Sequence, residues 1–132
     1  MTDSALSLLG LALRGNNLAV GEEPVKEACK TRRARLVISA DDASDNSVDR
    51  AGRMAELGGV PWVRIPWDKE ALGNALGRNT CAVAALTDQG LAGAFAERLV
   101  QADENLRPTL ESLLKDKKKS RAVTKKPAVP ET

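Results

Sequence analysis

Between Gly21 and Asp88 strand-like and helix-like signals alternate, and that order constrains the fold of this chain more than any other feature. A glycine-led helix start, Gly21-Glu22-Glu23-Pro24, leads to the apolar run Leu36-Val37-Ile38-Ser39-Ala40 and then to an Asp/Ser/Asn-rich turn. A second strand-like stretch, Val60 to Ile65, and a short helix through Leu72-Gly73-Asn74-Ala75-Leu76-Gly77 precede a third run, Cys81 to Leu86. Strands alternating with helices predict an α/β layer fold of parallel type. The run from Leu36 to Ala40 is apolar apart from Ser39, as expected of a central strand covered on both faces.

Helix punctuation places the other elements. Leu6, Leu9 and Leu13 recur at helical spacing behind Ser4, which can cap the helix, and Gly15 offers the left-handed residue that ends it. Leu18-Ala19-Val20 is a short strand candidate. A helix is expected from about Glu22 to Thr31, with Pro24 in its first turn and two glutamates at the positive end of its dipole. Arg32, Arg33 and Arg35 form a basic corner before the next strand. Asp41 to Ser47 is dense in turn and cap residues, and Gly58-Gly59 stops the helix that follows. Pro61 argues for a strand start, Asp68 for a helix cap, and Thr87-Asp88 for entry into a helix carrying Leu91, Phe95 and Leu99. The organisation expected is one domain over residues 1–104, an amphipathic extension over 105–114 carrying Leu110 and Leu113, and a Lys-rich tail over 115–132.

A chain of 132 residues has room for one such domain, with a core large enough to fold without metal or disulfides. Cys29 and Cys81 lie far apart in apolar settings and match no disulfide framework, which points to a reducing compartment. The longest apolar stretch, Leu6 to Leu13, is too short to span a bilayer, so a soluble cytoplasmic protein is expected. The net charge of +2 comes from the tail: through Leu114 there are 13 Lys and Arg against 16 Asp and Glu, and from Lys115 onward 7 against 2. With so few apolar residues the tail is expected to be disordered. It either holds nucleic acid non-specifically through phosphate contacts or serves only as a solvated tail.

Catalytic chemistry finds little purchase. The chain has no histidine, so the commonest general base and metal ligand is missing. The isolated cysteines offer no zinc site and no Cys/His pair, and neither a P-loop nor a GxGxxG fingerprint occurs. Asp41-Asp42, at the end of a strand, is the one pair that could in principle hold magnesium, but it sits in a capping-rich turn. Trp62, within a strand, reads as core. Trp67 sits at a loop-to-helix junction, where it either stacks on a base or packs over the sheet edge. No enzyme, no metal and no cofactor is expected.

From about Leu6 to Leu99, a set of short stretches in fixed order resembles the L-seven-Ae/L-thirty-e ribosomal protein superfamily, in particular its small bacterial members. They are Leu8-Leu9-Gly10-Leu11-Ala12, Gly21-Glu22-Glu23, Ala34 to Ser44, Gly59-Val60-Pro61, Leu72 to Gly77 and Thr87-Asp88-Gln89-Gly90. The resemblance implies a three-layer α/β/α sandwich with a mixed central sheet of about four strands. It also implies binding to structured, kink-turn-like RNA, ribosomal or other, with docking on the ribosome among its readings; a monomer with no membrane partner is the expectation for the chain as a whole.

In that family the RNA meets the helix that Gly21 opens and the loop before the last main strand. The RNA-binding residues so implied are Gly21, Glu22, Glu23, Lys26, Lys30, Arg33, Arg78, Asn79 and Thr80. A helix N-terminus offers free N–H groups and positive potential to phosphate, while nearby polar side chains read splayed bases. The sequence departs from the family pattern at the helix start: Glu23 places an acceptor where a donor is usual, Pro24 lacks an amide proton, and Glu27 reverses the expected charge. Lys26 comes one position early, about 100° round the helix. The same acidic start also fits a second reading, a protein-interaction module in which Glu22, Glu23 and Glu27 meet a basic partner.

Overall fold

A computed structural model describes residues 2–115 of the chain; the expected disordered tail after Lys115 lies outside the described residues. In chain order the elements are α1 (Thr2–Arg14), β1 (Leu18–Val20), α2 (Glu22–Lys30), β2 (Leu36–Ser39), α3 (Asp45–Gly58), β3 (Trp62–Arg64), α4 (Lys69–Ala75), β4 (Val83–Leu86) and α5 (Gln89–Ala102). A 3-10 turn, Glu104–Leu106, then runs into a helix over residues 107–115, α6.

The four strands lie in the order β1-β4-β2-β3. Alternating strands and helices suggest parallel pairing, yet only β2 and β3 are parallel; β4 is antiparallel to both neighbours. The cause is the shortness of α4. After Ala75 the chain turns back over this helix until the Cys81 N–H reaches the Lys69 carbonyl at 3.0 Å. It therefore enters β4 from the end of the sheet at which β3 leaves it. The sheet is mixed, and helices cover both faces.

The side chains of β2 alternate between two cores, as a strand period of two requires. Leu36 and Ile38 face the larger core, with Leu9 of α1, Leu72 of α4 and Phe95 and Leu99 of α5; Leu110 and Leu113 of α6 are buried in the same cluster. Val37 faces the smaller core with Val25 and Cys29 of α2 and Met54 and Ala55 of α3. Ser39 is the one buried polar residue among those described, and the half-buried Trp62 satisfies it by donating from Nε1 to Oγ at 2.7 Å. Trp67 packs, partly buried, against the larger core. Both edge strands have three residues, which limits the unpaired backbone offered for edge-to-edge association.

Two helix ends differ from the sequence expectation. Ser4 lies inside α1, and its hydroxyl accepts from Arg98 Nε at 2.8 Å across the helix pair. The left-handed residue after α1 is Asn16, φ 63°, rather than Gly15. Asparagine tolerates this region better than most side chains.

Candidate functional site

The topology gathers helix ends at the two rims of the sheet. At the rim where β1, β2 and β3 finish, α2, α3 and α4 begin; we call it the N-cap rim. At the opposite rim α1, α2 and α3 end, giving the C-cap rim, where α5 also starts behind Asp88.

Gly21 fixes the N-cap rim. With φ 97° it takes a backbone conformation that side chains disfavour, and its N–H donates to the Val83 carbonyl at 3.0 Å, so the start of α2 is tied to the start of β4. No side chain caps α2, and Pro24 has no amide proton. Helix geometry therefore leaves the Glu22 and Glu23 amides as the two first-turn donors outside the helical ladder. The neighbouring starts are capped by side chains: Ser44 Oγ accepts from Ser47 N–H at 3.1 Å, and Asp68 Oδ1 from Ala71 N–H at 2.8 Å.

Thr80 stands three residues before Val83, so chain reach alone keeps it within about 10 Å of the Gly21 contact. Arg78, Asn79 and Thr80 are all exposed. The segment is held against α4 by the Arg78 N–H donating to the Gly73 carbonyl at 2.8 Å, and Gly73 makes that close approach feasible. A Cβ there would fall 2.6 Å from Thr80 Cα.

The site residues read from the sequence thus divide. Gly21, Glu22, Glu23 and the Arg78-Asn79-Thr80 segment share the N-cap rim, and Lys26 follows one turn along α2. Lys30 is eight residues beyond Glu22, about 12 Å along the helix, and Arg33 lies past its end. Both belong to the C-cap rim, where the Arg35 N–H donates to the Leu86 carbonyl at 2.7 Å.

Arg50 is the site residue that sequence reasoning missed. From α3 its Nη1 reaches both Glu22 carboxylate oxygens, at 2.9 and 2.8 Å, so the first acid of α2 is paired rather than free. Nothing local signals a contact between residues 28 positions apart on different helices. Asp42 is occupied too, its Oδ1 accepting from Lys69 N–H at 2.8 Å, and among the described residues no group of three His, Cys, Asp or Glu side chains is placed to hold a metal. Burial pushes both thiols above the ordinary cysteine range; at Cys81 a backbone hydrogen bond with Val83 and the nearby Arg78 charge oppose that rise without cancelling it. Neither sulfur is a thiolate nucleophile at neutral pH.

Comparison with known proteins follows the same outline. Residues 3–93 match the ribosomal protein L7Ae/L30e/S12e/Gadd45 family. The RNA-binding protein YlxQ of Bacillus subtilis (strain 168) is 34% identical over 93 residues, which span 70% of this chain and 88% of that protein. A protein of unknown function from Bacillus halodurans C has a similar structure, with a TM-score of 0.66 and 29% identity over 72% of this chain and 95% of the other. The Giardia lamblia 15.5kD RNA binding protein superposes with a TM-score of 0.60 and 25% identity, over 80% of this chain and 88% of its own.

Proposed function

This chain belongs to the ribosomal protein L7Ae/L30e/S12e/Gadd45 family, and from that premise we propose that it is a non-enzymatic RNA-binding protein that docks on structured RNA through its N-cap rim. Two relatives that carry RNA binding in their names, YlxQ and the Giardia protein, support the choice of ligand. The observation that carries the mode of docking is the Gly21 to Val83 hydrogen bond, which sets the uncapped start of α2 beside the exposed segment from Arg78 to Thr80.

Here the backbone does what the α2 side chains do not. The two first-turn amides and the helix dipole attract a phosphate, each end of a helix being equivalent to about half a charge. The Glu22 carboxylate is drawn to Arg50, which limits its repulsion of that phosphate. Arg78, Asn79 and Thr80 supply a cation and polar groups for the adjoining strand of a sharp bend, as in a kink-turn. Recognition of this kind reads shape and backbone more than base identity. The role is docking rather than turnover.

The test compares binding of the full chain to a kink-turn RNA and to a straight duplex of equal length, at about 150 mM salt where weak phosphate attraction is screened. The expected result is at least a ten-fold preference for the kink, about 1.4 kcal/mol, which Arg78→Ala with Asn79→Ala removes. Equal binding to both RNAs would sink kink recognition and favour the rival reading, in which Glu23 and its acidic neighbours meet a basic protein.

A further inference from the structure

We propose that the C-cap rim is a second RNA contact surface, built from Lys30, Arg32, Arg33 and Arg35, which grips backbone phosphates independently of the N-cap rim. The proposal rests on the RNA-binding reading above but names a surface that lies at the other end of the sheet.

The first observation is charge without partners. Four cations fall within six residues, all are exposed, and none pairs with a carboxylate among the described residues. The one side-chain bond among them, Arg33 Nε to Thr31 Oγ1 at 3.3 Å, leaves the charge unneutralised. Of the acids that topology places at this rim, Asp88 is engaged by the Leu91 N–H at 2.9 Å; Glu27 and Glu56 lie in the last turns of α2 and α3. The three helix C-termini carry about half a negative charge each. With Arg14 in the last turn of α1, five cations stand against these three acids and the helix C-termini, so the positive charge is local, concentrated over residues 30–35 rather than spread along the rim.

The second observation is backbone conformation. Helices α1, α2 and α3 end in the same double hydrogen-bond pattern, with the residue in the left-handed position being Asn16, Arg32 and Gly59 respectively. For α2 the bonds are Arg32 N–H to Cys29 O at 3.2 Å and Arg33 N–H to Ala28 O at 2.8 Å. Glycine is the residue this position favours, and α3 has it. Arg32 occupies it at φ 63°, against the steric preference of any side chain with a Cβ. The effect is to turn the chain sharply and set out Arg32, Arg33 and Arg35 ahead of β2. Arg32 also has a structural contact to weigh: its Nη1 lies 3.5 Å from where a Gly59 Cβ would stand, near the negative end of α3.

Double-stranded nucleic acid presents a charge for roughly every 1.7 Å of axis, so a rim of four strands, about 14 Å across, faces several phosphates at once. Exposed cations of this surface contact backbone phosphates whatever the sequence. The surface should add affinity and salt dependence without preference for a kink.

The experiment uses the full chain, so the lysines beyond residue 115 are common to every variant. Binding to the kink-turn RNA and to the straight duplex is measured between 50 and 300 mM salt for the wild type, Arg32→Gly, and Arg32→Gly with Arg33→Gln and Arg35→Gln. Each lost phosphate contact should lower the slope of log K against log salt by about 0.9 and weaken binding about five-fold at 150 mM, on both RNAs alike. Thermal denaturation of Arg32→Gly should show Tm unchanged or raised, because glycine suits the left-handed position. A triple variant that binds with wild-type slope and affinity overturns the proposal while leaving the N-cap reading intact. Arg32→Gly that lowers Tm yet binds both RNAs as the wild type does would reduce Arg32 to a structural cap and overturn its part in the surface. A wild type that binds neither RNA removes both readings together.

Discussion

The helix ends at the two rims of the sheet gather charged side chains and use them in opposite ways. Helix dipoles favour acids at N-termini and bases at C-termini, and the chain follows this in part: Glu22, Glu23, Asp45 and Glu70 lie in first turns at the N-cap rim, and Arg14 and Lys30 lie in last turns at the other, beside Glu27 and Glu56, which run against it. At the N-cap rim, however, several polar groups are spent within the fold. Glu22 is paired with Arg50, Asp42 holds Lys69 N–H, and Ser44 and Asp68 cap their own helices. At the C-cap rim the four cations of residues 30–35 have no carboxylate partner among the described residues. The lesson is that local charge identifies a docking surface only after internal pairing has been subtracted. The rim with the helix starts offers geometry, and the rim with the helix ends offers charge.

The largest test of this contrast is Gly73→Ala. A Cβ at 73 would meet Thr80 Cα at 2.6 Å and Thr80 N at 2.7 Å, both backbone atoms, so the 78–80 segment must lift from α4. We expect a loss of about 2–3 kcal/mol, seen as a fall of roughly 10 °C in Tm. The preference for a kink should go with it, while the salt slope contributed by the C-cap rim stays. A folded Gly73→Ala protein with unchanged Tm would show the segment to be looser than its contacts imply.

Next in size is a pair of substitutions at equivalent helix ends. Gly59→Ala places a Cβ at φ 68° and should cost about 1–2 kcal/mol. Arg32→Gly, at φ 63° in the corresponding position after α2, should cost nothing or stabilise slightly. The relief of a left-handed side chain is worth about 1 kcal/mol, against 0.3–1 kcal/mol, at most about that, for a cation at a helix C-terminus. Chemical denaturation of the two variants gives the signs directly. Equal destabilisation would mean that Arg32 is held in its left-handed position by packing.

Much of the fold was legible in the sequence because its signals are local. The strand cores, the caps at Asp68 and Asp88 and the stop at Gly59 are each set by a few consecutive residues, and the structure has them. Ser4 was misread because a capping residue two positions inside a helix looks the same as one at its start; its real partner, Arg98, is 94 positions away. The direction of β4 was hidden for a related reason, since it depends on a return loop closing onto Lys69 rather than on anything in the strand. At the site, Gly21 was legible as a glycine-led helix start, though not its φ of 97°, and the segment at Arg78 was offered only by the family resemblance. The separation of Lys30 and Arg33 from Gly21 needed only the length of α2, whereas the Glu22 to Arg50 pair needed the packing of α2 on α3.

That pair sets the smallest prediction and bears on how the N-cap rim tolerates its acids. Arg50 and Glu22 are 54% and 37% exposed, so solvent screens them and a double-mutant cycle with Arg50→Ala and Glu22→Gln should give a coupling of about 0.2–1 kcal/mol at low salt. The coupling should fade as salt shortens the screening length to about 3 Å near 1 M. Its effect on docking should have opposite signs for the two partners. Arg50→Ala leaves the Glu22 carboxylate unpaired beside the first-turn amides and should weaken RNA binding a few-fold. Glu22→Gln removes the repulsion and should leave binding equal or slightly tighter. If Arg50→Ala instead weakens binding while Glu22→Gln weakens it as much, the carboxylate is itself part of the interface, and the N-cap rim reads its ligand through an acid as well as through its amides.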